Sequence, residues 1–212
     1  MPKTIAPGFV KICGVTSLDD AKFVVAAGAN ALGLILAESS RRLTLDQARV
    51  IADATKGDLL RFAVFRHNDD DFILEHVDAL GTDVVQVHGA LSESLLAALR
   101  ARPVLIVKAL SVDEAEFLSF DDSSVDAVLI DGPQPGSGET YALDHLERRA
   151  FSVPVIAAGG LTPGNVASLI AASAVAGVDT SSGVESQPGV KNHDLVVDFI
   201  VNARTAFATR KD

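Results

Sequence analysis

Short apolar runs alternate with amphipathic stretches from one end of the chain to the other. Eight runs have the length of buried strands, and their mean spacing of about 25 residues is typical of βα repeats. The stretches between them, such as L-D-Q-A-R-V-I-A-D-A, carry apolar side chains at helical spacing. Two of these stretches begin beside Ser17 and Thr44, residue types that cap helix N-termini. The predicted strands are Phe9–Cys13, Ala31–Leu36, Leu60–Phe65, Asp83–His88, Val104–Ala109, Asp126–Asp131, Pro154–Ala158 and Gly177–Asp179.

Eight βα units predict the α/β class and, within it, a (β/α)8 TIM barrel formed by a single domain that spans residues 1–212. The chain is compact for this fold, whose usual length is about 250 residues. A doubly wound open sheet is the competing architecture, but it carries a dinucleotide fingerprint after its first strand. Here the first strand runs into C-G-V-T-S, without G-x-G-x-x-G spacing. The barrel is therefore the favoured fold.

Composition narrows the class of partner. The formal net charge of −10 argues against a nucleic-acid surface, because such a surface needs a basic stripe. Donors grouped in a cleft still bind a small anion whatever the net charge. No apolar run reaches the roughly 18–20 residues of a membrane span, so we expect no membrane partner. With a single cysteine and no signal-peptide pattern, we expect a cytoplasmic protein.

Glycine-rich turns follow the last two predicted strands. They are A-A-G-G-L-T-P-G-N-V at Ala157–Val166 and G-V-D-T-S-S-G-V-E at Gly177–Glu185, and a helix is expected to begin after each. Backbone N–H groups at such a turn and the helix dipole together attract anions. Barrel active sites lie at the C-terminal strand ends, and phosphate often binds after strands 7 and 8. The two turns therefore predict a phosphate site.

Strand 1 ends in the only cysteine of the chain. Because alternate strand residues face opposite sides, Phe9, Lys11 and Cys13 share one face, which we expect to be the barrel interior. Cys13 would then lie at the catalytic rim, one layer above Lys11. A nearby ammonium is expected to lower the thiol pKa from about 8.5. The alternative is a buried, inert cysteine.

Two strands end in aspartates. Asp131 closes strand 6 before the loop G-P-Q-P-G-S-G, and it is a candidate general acid if burial or a neighbouring charge raises its pKa. Its alternative role is to cap that loop. Asp179 on strand 8 is a second acidic candidate, or a structural hydrogen-bonding group. On strand 4, Gln86 and His88 share a face and are expected to form the polar floor of the pocket.

Other charged residues leave alternatives open. Arg41 or Arg42, after strand 2, is suited to a bidentate contact with a carboxylate, although both are equally explained as surface arginines. Lys11 or Lys108 is a candidate Schiff-base lysine, or an interior ion-pair partner. No metal site is expected, because the histidines and acidic residues lack ligand spacing. A serine hydrolase is excluded by the absence of G-x-S-x-G.

Five motifs occur in order along nearly the whole chain, and each is weak when taken alone. They are K-I-C-G at Lys11–Gly14, S-S-R at Ser39–Arg41, V-Q-V-H-G at Val85–Gly89, L-I-D-G followed by G-S-G within Leu129–Gly138, and A-G-G-L-T-P-G-N-V with D-T-S-S-G-V-E-x-x-P-G-V-K near the end. In this order and spacing, the chain resembles the phosphoribosylanthranilate isomerase family of tryptophan biosynthesis.

The resemblance implies a cofactor-free Amadori rearrangement of N-(5′-phosphoribosyl)anthranilate to a carboxyphenylamino-deoxyribulose phosphate. It implies that Cys13 is the general base, Asp131 the general acid and Arg41 the ligand of the anthranilate carboxylate. The same resemblance implies a phosphate site formed by the backbone around Gly159, Gly160, Ser181, Ser182 and Gly183.

The chain departs from the family pattern at several places, including the segment L-A-E-S, which lacks the aromatic and basic residues often found there. Ser40 stands where proline is usual, Arg42 adds a second arginine, and Asn192 replaces a common aspartate. Two other functions stay open: a sugar-phosphate epimerase with Asp131 and Asp179 as a two-base pair, and a non-catalytic phosphosugar-binding module. Either a monomer or a homodimer is expected.

Overall fold

The barrel predicted from the βα repeats is present. The computed structural model describes residues 4–112, 116–132 and 149–210. Eight parallel strands pair in chain order, and the eighth pairs with the first, so the sheet is closed. This confirms the (β/α)8 class. The strands are β1 (Phe9–Cys13), β2 (Ala31–Ile35), β3 (Leu60–Arg66), β4 (Val84–His88), β5 (Leu105–Ser111), β6 (Ala127–Asp131), β7 (Val155–Ala158) and β8 (Gly177–Thr180).

Helices connect the strands on the outside of the barrel. The caps predicted at Ser17 and Thr44 are confirmed: the Ser17 side chain accepts a hydrogen bond from the Asp20 amide, and Thr44 forms a reciprocal capping box with Gln47. No helix in the described ranges is long and apolar enough to cross a bilayer. The helices are α1 (Leu18–Ala26), α2 (Leu45–Ala54), α3 (Asp70–Leu80), α4 (Glu93–Arg100), α5 (Glu116–Ser119), α6 (Val166–Ala171) and α7 (His193–Thr209).

Some strands end later than predicted. β3 continues to Arg66 and β5 to Ser111, because the ladder pairs Arg66 with His88 and Ser111 with Asp131. The last residue of each strand, Arg66 or Ser111, is polar, so the apolar pattern alone does not include it. The predicted loop G-P-Q-P-G-S-G lies outside the described residues from position 133 onward.

The predicted alternation along β1 is also confirmed. Phe9 and Cys13 belong to the cluster inside the barrel, and Lys11 is buried between them. Val10 and Ile12 belong to the outer cluster, which packs against the helices. The alternation of side chains along the strand therefore predicts the two faces of β1 correctly. Both faces are buried, and the charged residue lies on the interior one.

Lys108 lies on the outer face of β5. Its neighbours Val107 and Ala109 pack inside the barrel, while the Lys108 Nζ atom is 5.5 Å from the centre of the Phe120 ring. Lys108 is therefore no longer a candidate Schiff-base lysine, because its side chain points away from the barrel interior.

A two-stranded hairpin, which the sequence pattern did not predict, follows β8. It consists of β9 (Glu185–Gln187) and β10 (Val190–Lys191), and it pairs antiparallel outside the barrel. The helix expected directly after β8 is therefore displaced: a short 3-10 turn at Ser182–Val184 takes its place, and α7 begins only at His193. Asn192 caps α7 by accepting a hydrogen bond from the Leu195 amide, as an aspartate would.

Candidate active site

A cavity of about 570 Å³ opens at the C-terminal ends of the strands. Barrel enzymes place their active sites at this end. The cavity collects side chains from strands that are far apart in sequence. Eleven of the candidate residues named above line it, while Lys11, Arg42 and Lys108 do not; the eleven are Cys13, Arg41, Gln86, His88, Asp131, Gly159, Gly160, Asp179, Ser181, Ser182 and Gly183.

The Cys13 thiol lies at the end of β1 and is buried. Burial raises its pKa, and the charge of Asp179 acts in the same direction, against the opposing effect of Lys11. The expected lowering of the thiol pKa is therefore wrong. Lys11 does favour the thiolate, but desolvation outweighs it. Gly33 on β2 leaves room for the sulfur, since a Cβ there would lie 2.6 Å from Sγ.

Asp131 is the last residue of β6 and is half-buried. Burial and the charge of Asp179 raise its pKa to about 6, against the opposing charges of Arg66 and Lys11. The shift predicted for a general acid at this position is therefore present. A carboxyl group with this pKa keeps part of its population protonated near neutral pH.

Lys11 and Asp179 form an ion pair inside the barrel, with Nζ 2.9 Å from Oδ2. Burial disfavours the Lys11 ammonium, but the charges and hydrogen bonds of Asp179 and Cys13 together outweigh this effect and raise the lysine pKa. The Lys11 ammonium below Cys13 therefore stays charged, and its charge is balanced by the Asp179 carboxylate. The Oδ1 atom of Asp179 is buried and has no hydrogen-bond partner among the described residues, so it is available to a ligand.

Gln86 and His88 form part of the cavity floor, with their Nε2 atoms 2.9 Å apart. Burial, together with the positive charges of Lys11 and Arg66, lowers the pKa of His88 to about 4. The imidazole is therefore neutral at physiological pH, and the Gln86 amide donates to its ring nitrogen. The Gln86 Oε1 atom has no partner within the described part of the chain.

The two glycine turns lie against each other at the ends of β7 and β8. Gly159 and Gly160 have φ values of +87° and +65°, which favour glycine. A Cβ at Gly183 would lie 1.9 Å from the Leu161 carbonyl oxygen, so only glycine fits there. The Thr180 hydroxyl donates to the same carbonyl at 2.7 Å and ties the turns together. The result is a wall of exposed backbone, which suits a phosphate group.

The structure distinguishes the two arginines after β2. Arg41 lines the cavity with its side chain 21% exposed, and it packs so closely on Gly14 that a Cβ there would lie 2.6 Å from Cδ. Arg42 instead binds Glu38 at the surface, where the two side chains are 48% and 90% exposed. Of the two candidates for a carboxylate contact, only Arg41 is placed at the site.

No three metal-ligating side chains come close enough to hold a metal ion in residues 4–112, 116–132 and 149–210. The polar groups at the cavity include a carboxyl group, a thiol, a buried ion pair, arginine side chains and backbone turns. This set is suited to proton transfer on an anionic molecule.

Comparison with known proteins identifies the family and agrees with the barrel fold. The sequence model of the family described as N-(5'phosphoribosyl)anthranilate (PRA) isomerase matches residues 10–202. The chain belongs to this family. As a member of it, the chain is an isomerase of tryptophan biosynthesis.

Individual members of the phosphoribosylanthranilate isomerase family match over nearly their full length. The isomerase from Cellvibrio japonicus (strain Ueda107) is 38% identical, with 94% of each chain covered. The crystal structure of TrpF from Jonesia denitrificans has a TM-score of 0.84 at 31% identity and covers 95% of this chain and 99% of its own. An isomerase in complex with reduced 1-(o-carboxyphenylamino)-1-deoxyribulose 5-phosphate has a TM-score of 0.76 at 31% identity, covering 93% and 98%.

The sequence patterns assigned no role to several polar residues in or beside this isomerase site. Arg66 and His67 line the cavity at the end of β3, and the alternation from Phe62 through Val64 was a signal for Arg66. His67 has a positive φ of 54°, and no sequence pattern predicted this conformation or its position at the cavity. Glu185 and Lys191 belong to the motif D-T-S-S-G-V-E-x-x-P-G-V-K, which assigned them no role; Glu185 forms ion pairs with both Arg41 and Lys191.

Proposed function

We propose that the chain converts N-(5′-phosphoribosyl)anthranilate to 1-(2-carboxyphenylamino)-1-deoxyribulose 5-phosphate, with Asp131 as general acid and Cys13 as general base and without a cofactor. One observation carries the proposal. A carboxyl group whose pKa is raised to about 6 and a buried thiol share a cavity with a wall of glycine turns. The solved relative that holds a reduced aminodeoxyribulose phosphate makes this substrate class the natural one.

Asp131 would act first. Its protonated carboxyl gives a proton to the ribose ring oxygen as the bond from that oxygen to C1′ breaks. The lone pair of the anthranilate nitrogen forms the C=N bond of a protonated Schiff base, so the electrons balance. A pKa of about 6 leaves the acid partly protonated near neutral pH and also strong enough to give up its proton.

Cys13 would act second. Its thiolate removes the proton from C2′, and the electron pair of that bond neutralises the Schiff base to give an enolamine. The enolamine becomes the ketone by taking a proton at C1′ and losing the one on its C2′ hydroxyl, so no proton is consumed overall. The Lys11 ammonium in the layer below favours the thiolate by its charge.

The phosphate and the anthranilate carboxylate of the substrate would be bound at different sides of the cavity. The backbone of Gly159, Gly160 and residues 181–183 is suited to the phosphate, and Arg41 to the anthranilate carboxylate. Contacts remote from the reacting carbons align them with the acid and the base. Asp179 and Gln86 line the cavity, and their Oδ1 and Oε1 atoms, without partners among the described residues, are suited to accept hydrogen bonds from sugar hydroxyls.

The epimerase alternative is less consistent with the site. It needs Asp131 and Asp179 as a two-base pair, but Asp179 already binds Lys11 at 2.9 Å inside the barrel. The non-catalytic alternative offers no reason for a carboxyl pKa of about 6 beside a thiol. The isomerase uses both groups.

We keep the remaining expectations as proposals: a cytoplasmic location, and either a monomer or a homodimer. A relative from Thermotoga maritima supports both assembly states, since its structure is described as that of monomers generated from a dimeric isomerase.

The pH dependence of kcat/KM follows from the two pKa shifts. We expect kcat/KM to rise up to about pH 6, and then to stay level until the raised pKa of Cys13 is reached. Below pH 6 Asp131 is already protonated, so each added pH unit increases the thiolate population about tenfold. Above pH 6 that increase is offset by loss of the Asp131 proton. A steady fall above pH 6 would mean that the thiol ionises before Asp131, and would contradict the raised pKa of Cys13.

Genetic complementation tests the function itself. The wild-type gene is expected to restore growth without tryptophan in a strain that lacks phosphoribosylanthranilate isomerase, and an empty vector is not. Growth with added tryptophan controls for toxicity. Failure of the expressed, folded wild-type protein to support growth would reject the proposed reaction and favour the epimerase.

A further inference from the structure

The hairpin after β8 places two buried charges opposite each other. Glu185 on β9 pairs in register with Lys191 on β10, and the Lys191 Nζ atom is 2.9 Å from Glu185 Oε1. Both side chains are nearly inaccessible, at 4% and 0% exposed. A (β/α)8 barrel closes without such a hairpin, and a buried ion pair is costly to desolvate. Its position suggests a task beyond folding.

The Glu185 carboxylate binds Arg41 at two points. Arg41 Nε donates to Oε1 at 2.8 Å and Nη2 donates to Oε2 at 2.6 Å. A two-point contact fixes the plane of a guanidinium group. It leaves the edge formed by Nη1 and the second N–H of Nη2 for another carboxylate.

Glu185 binds Arg41 on the side of the guanidinium group that faces away from the cavity. Arg41 lines the cavity, whereas Glu185 is not among the cavity-lining residues. The glutamate is therefore no competitor for a ligand carboxylate on the cavity side. Burial alone would raise the pKa of Glu185, but the hydrogen bonds from Arg41 and Lys191 lower it, so the group stays ionised.

Two basic side chains bind the single carboxylate of this network, so the charge of Glu185 is fully compensated. Burial lowers the pKa of Lys191, and the bond to Glu185 acts against this shift. Lys191 also donates to the Ser181 carbonyl at 3.1 Å, which ties the network to the turn after β8. Arg41 is thus fixed relative to the same turn that is suited to the phosphate.

We infer that Glu185, braced by Lys191, is a positioning residue that fixes Arg41 so that its free edge meets the carboxylate of the substrate. The inference rests on the proposed function and deepens it. It makes the hairpin the element that determines how strongly the enzyme distinguishes a carboxylated aromatic group from an uncarboxylated one.

Two ligands test the inference by calorimetric titration: reduced 1-(2-carboxyphenylamino)-1-deoxyribulose 5-phosphate and its phenylamino analogue without the carboxylate. We expect the wild type to prefer the carboxylated ligand by roughly 10- to 100-fold, the range of hydrogen bonds to charged groups. Glu185→Ala is expected to reduce this preference to about threefold or less, chiefly by lowering the affinity for the carboxylated ligand. In turnover, KM for the substrate rises by a similar factor and kcat changes less.

Two further variants make the test specific. Asp78→Ala removes a surface carboxylate that binds Arg102 through the same Nε and Nη2 atoms, both at 2.7 Å, and it is expected to leave the preference unchanged. Glu185→Gln keeps an acceptor for Arg41 and is expected to restore part of the preference. It also serves if the alanine variant fails to fold.

Three outcomes would overturn the inference. One is an equal loss of affinity for both ligands in Glu185→Ala, which indicates a merely structural role. The second is an unchanged preference in both Glu185 variants. The third is a wild type that turns over the substrate but binds both ligands equally. A wild type that fails to turn over the substrate rejects the proposed function instead, so the two failures are distinguishable.

Discussion

Replacing Cys13 with serine is expected to lower kcat by roughly 10²- to 10⁴-fold, the usual contribution of a positioned general base. A serine hydroxyl is almost the same size, but it does not ionise at accessible pH. The proton on C2′ would therefore lose its acceptor while the walls of the cavity stay in place. The measurement is steady-state turnover of N-(5′-phosphoribosyl)anthranilate by the purified variant.

Binding of the reduced product-like ligand is the control for Cys13→Ser. We expect its affinity to stay near the wild-type value, because neither the glycine turns nor Arg41 contains the sulfur. Wild-type turnover in the serine variant would remove Cys13 from the mechanism. It would leave the thiol as a packing group opposite Gly33, where the sulfur occupies the space a Cβ would need.

Replacing Asp131 with asparagine is expected to reduce kcat by a similar factor, roughly 10²- to 10⁴-fold. The amide keeps the shape of the side chain but cannot supply the proton that opens the ribose ring. Unlike the acid, whose pKa is about 6, the amide does not titrate over the range of the assay. The measurement is single-turnover conversion of substrate by an excess of enzyme.

A substrate that is already open separates the two roles. An open-chain Schiff-base analogue bypasses ring opening, so Asp131→Asn is expected to process it far better than the closed substrate, while Cys13→Ser is not. Equal impairment of Asp131→Asn on both substrates would contradict its role in ring opening. A fully active asparagine variant would exclude Asp131 as the acid altogether.

Local patterns account for most of what the sequence predicted about the fold. The spacing of apolar residues and the caps at Ser17 and Thr44 depend on neighbours within a few positions, so they are readable along the chain. Strand ends were less accurate. Whether Arg66 or Ser111 continues a strand depends on pairing with the next strand, which local hydrophobicity does not describe.

Distant partners explain the errors at the site. The pKa of Cys13 was expected to fall because Lys11 is two residues away, but burial by the closed barrel raises it, and Asp179 adds to the shift. The choice between Arg41 and Arg42 depends on Glu185, which is 144 positions further along the chain. Neither Glu185 nor its hairpin has a local signal that points to Arg41.

The sequence by itself determined the order of the βα units, the inward-facing side of β1, and the two glycine-rich turns after the last two strands. These are properties of short segments and of single residue types. The tertiary structure alone decided which strand ends meet around one cavity, how far each ionisable group is desolvated, and which arginine is held at the mouth. Those depend on barrel closure, because closure brings residues more than a hundred positions apart within hydrogen-bonding distance and excludes water from between them.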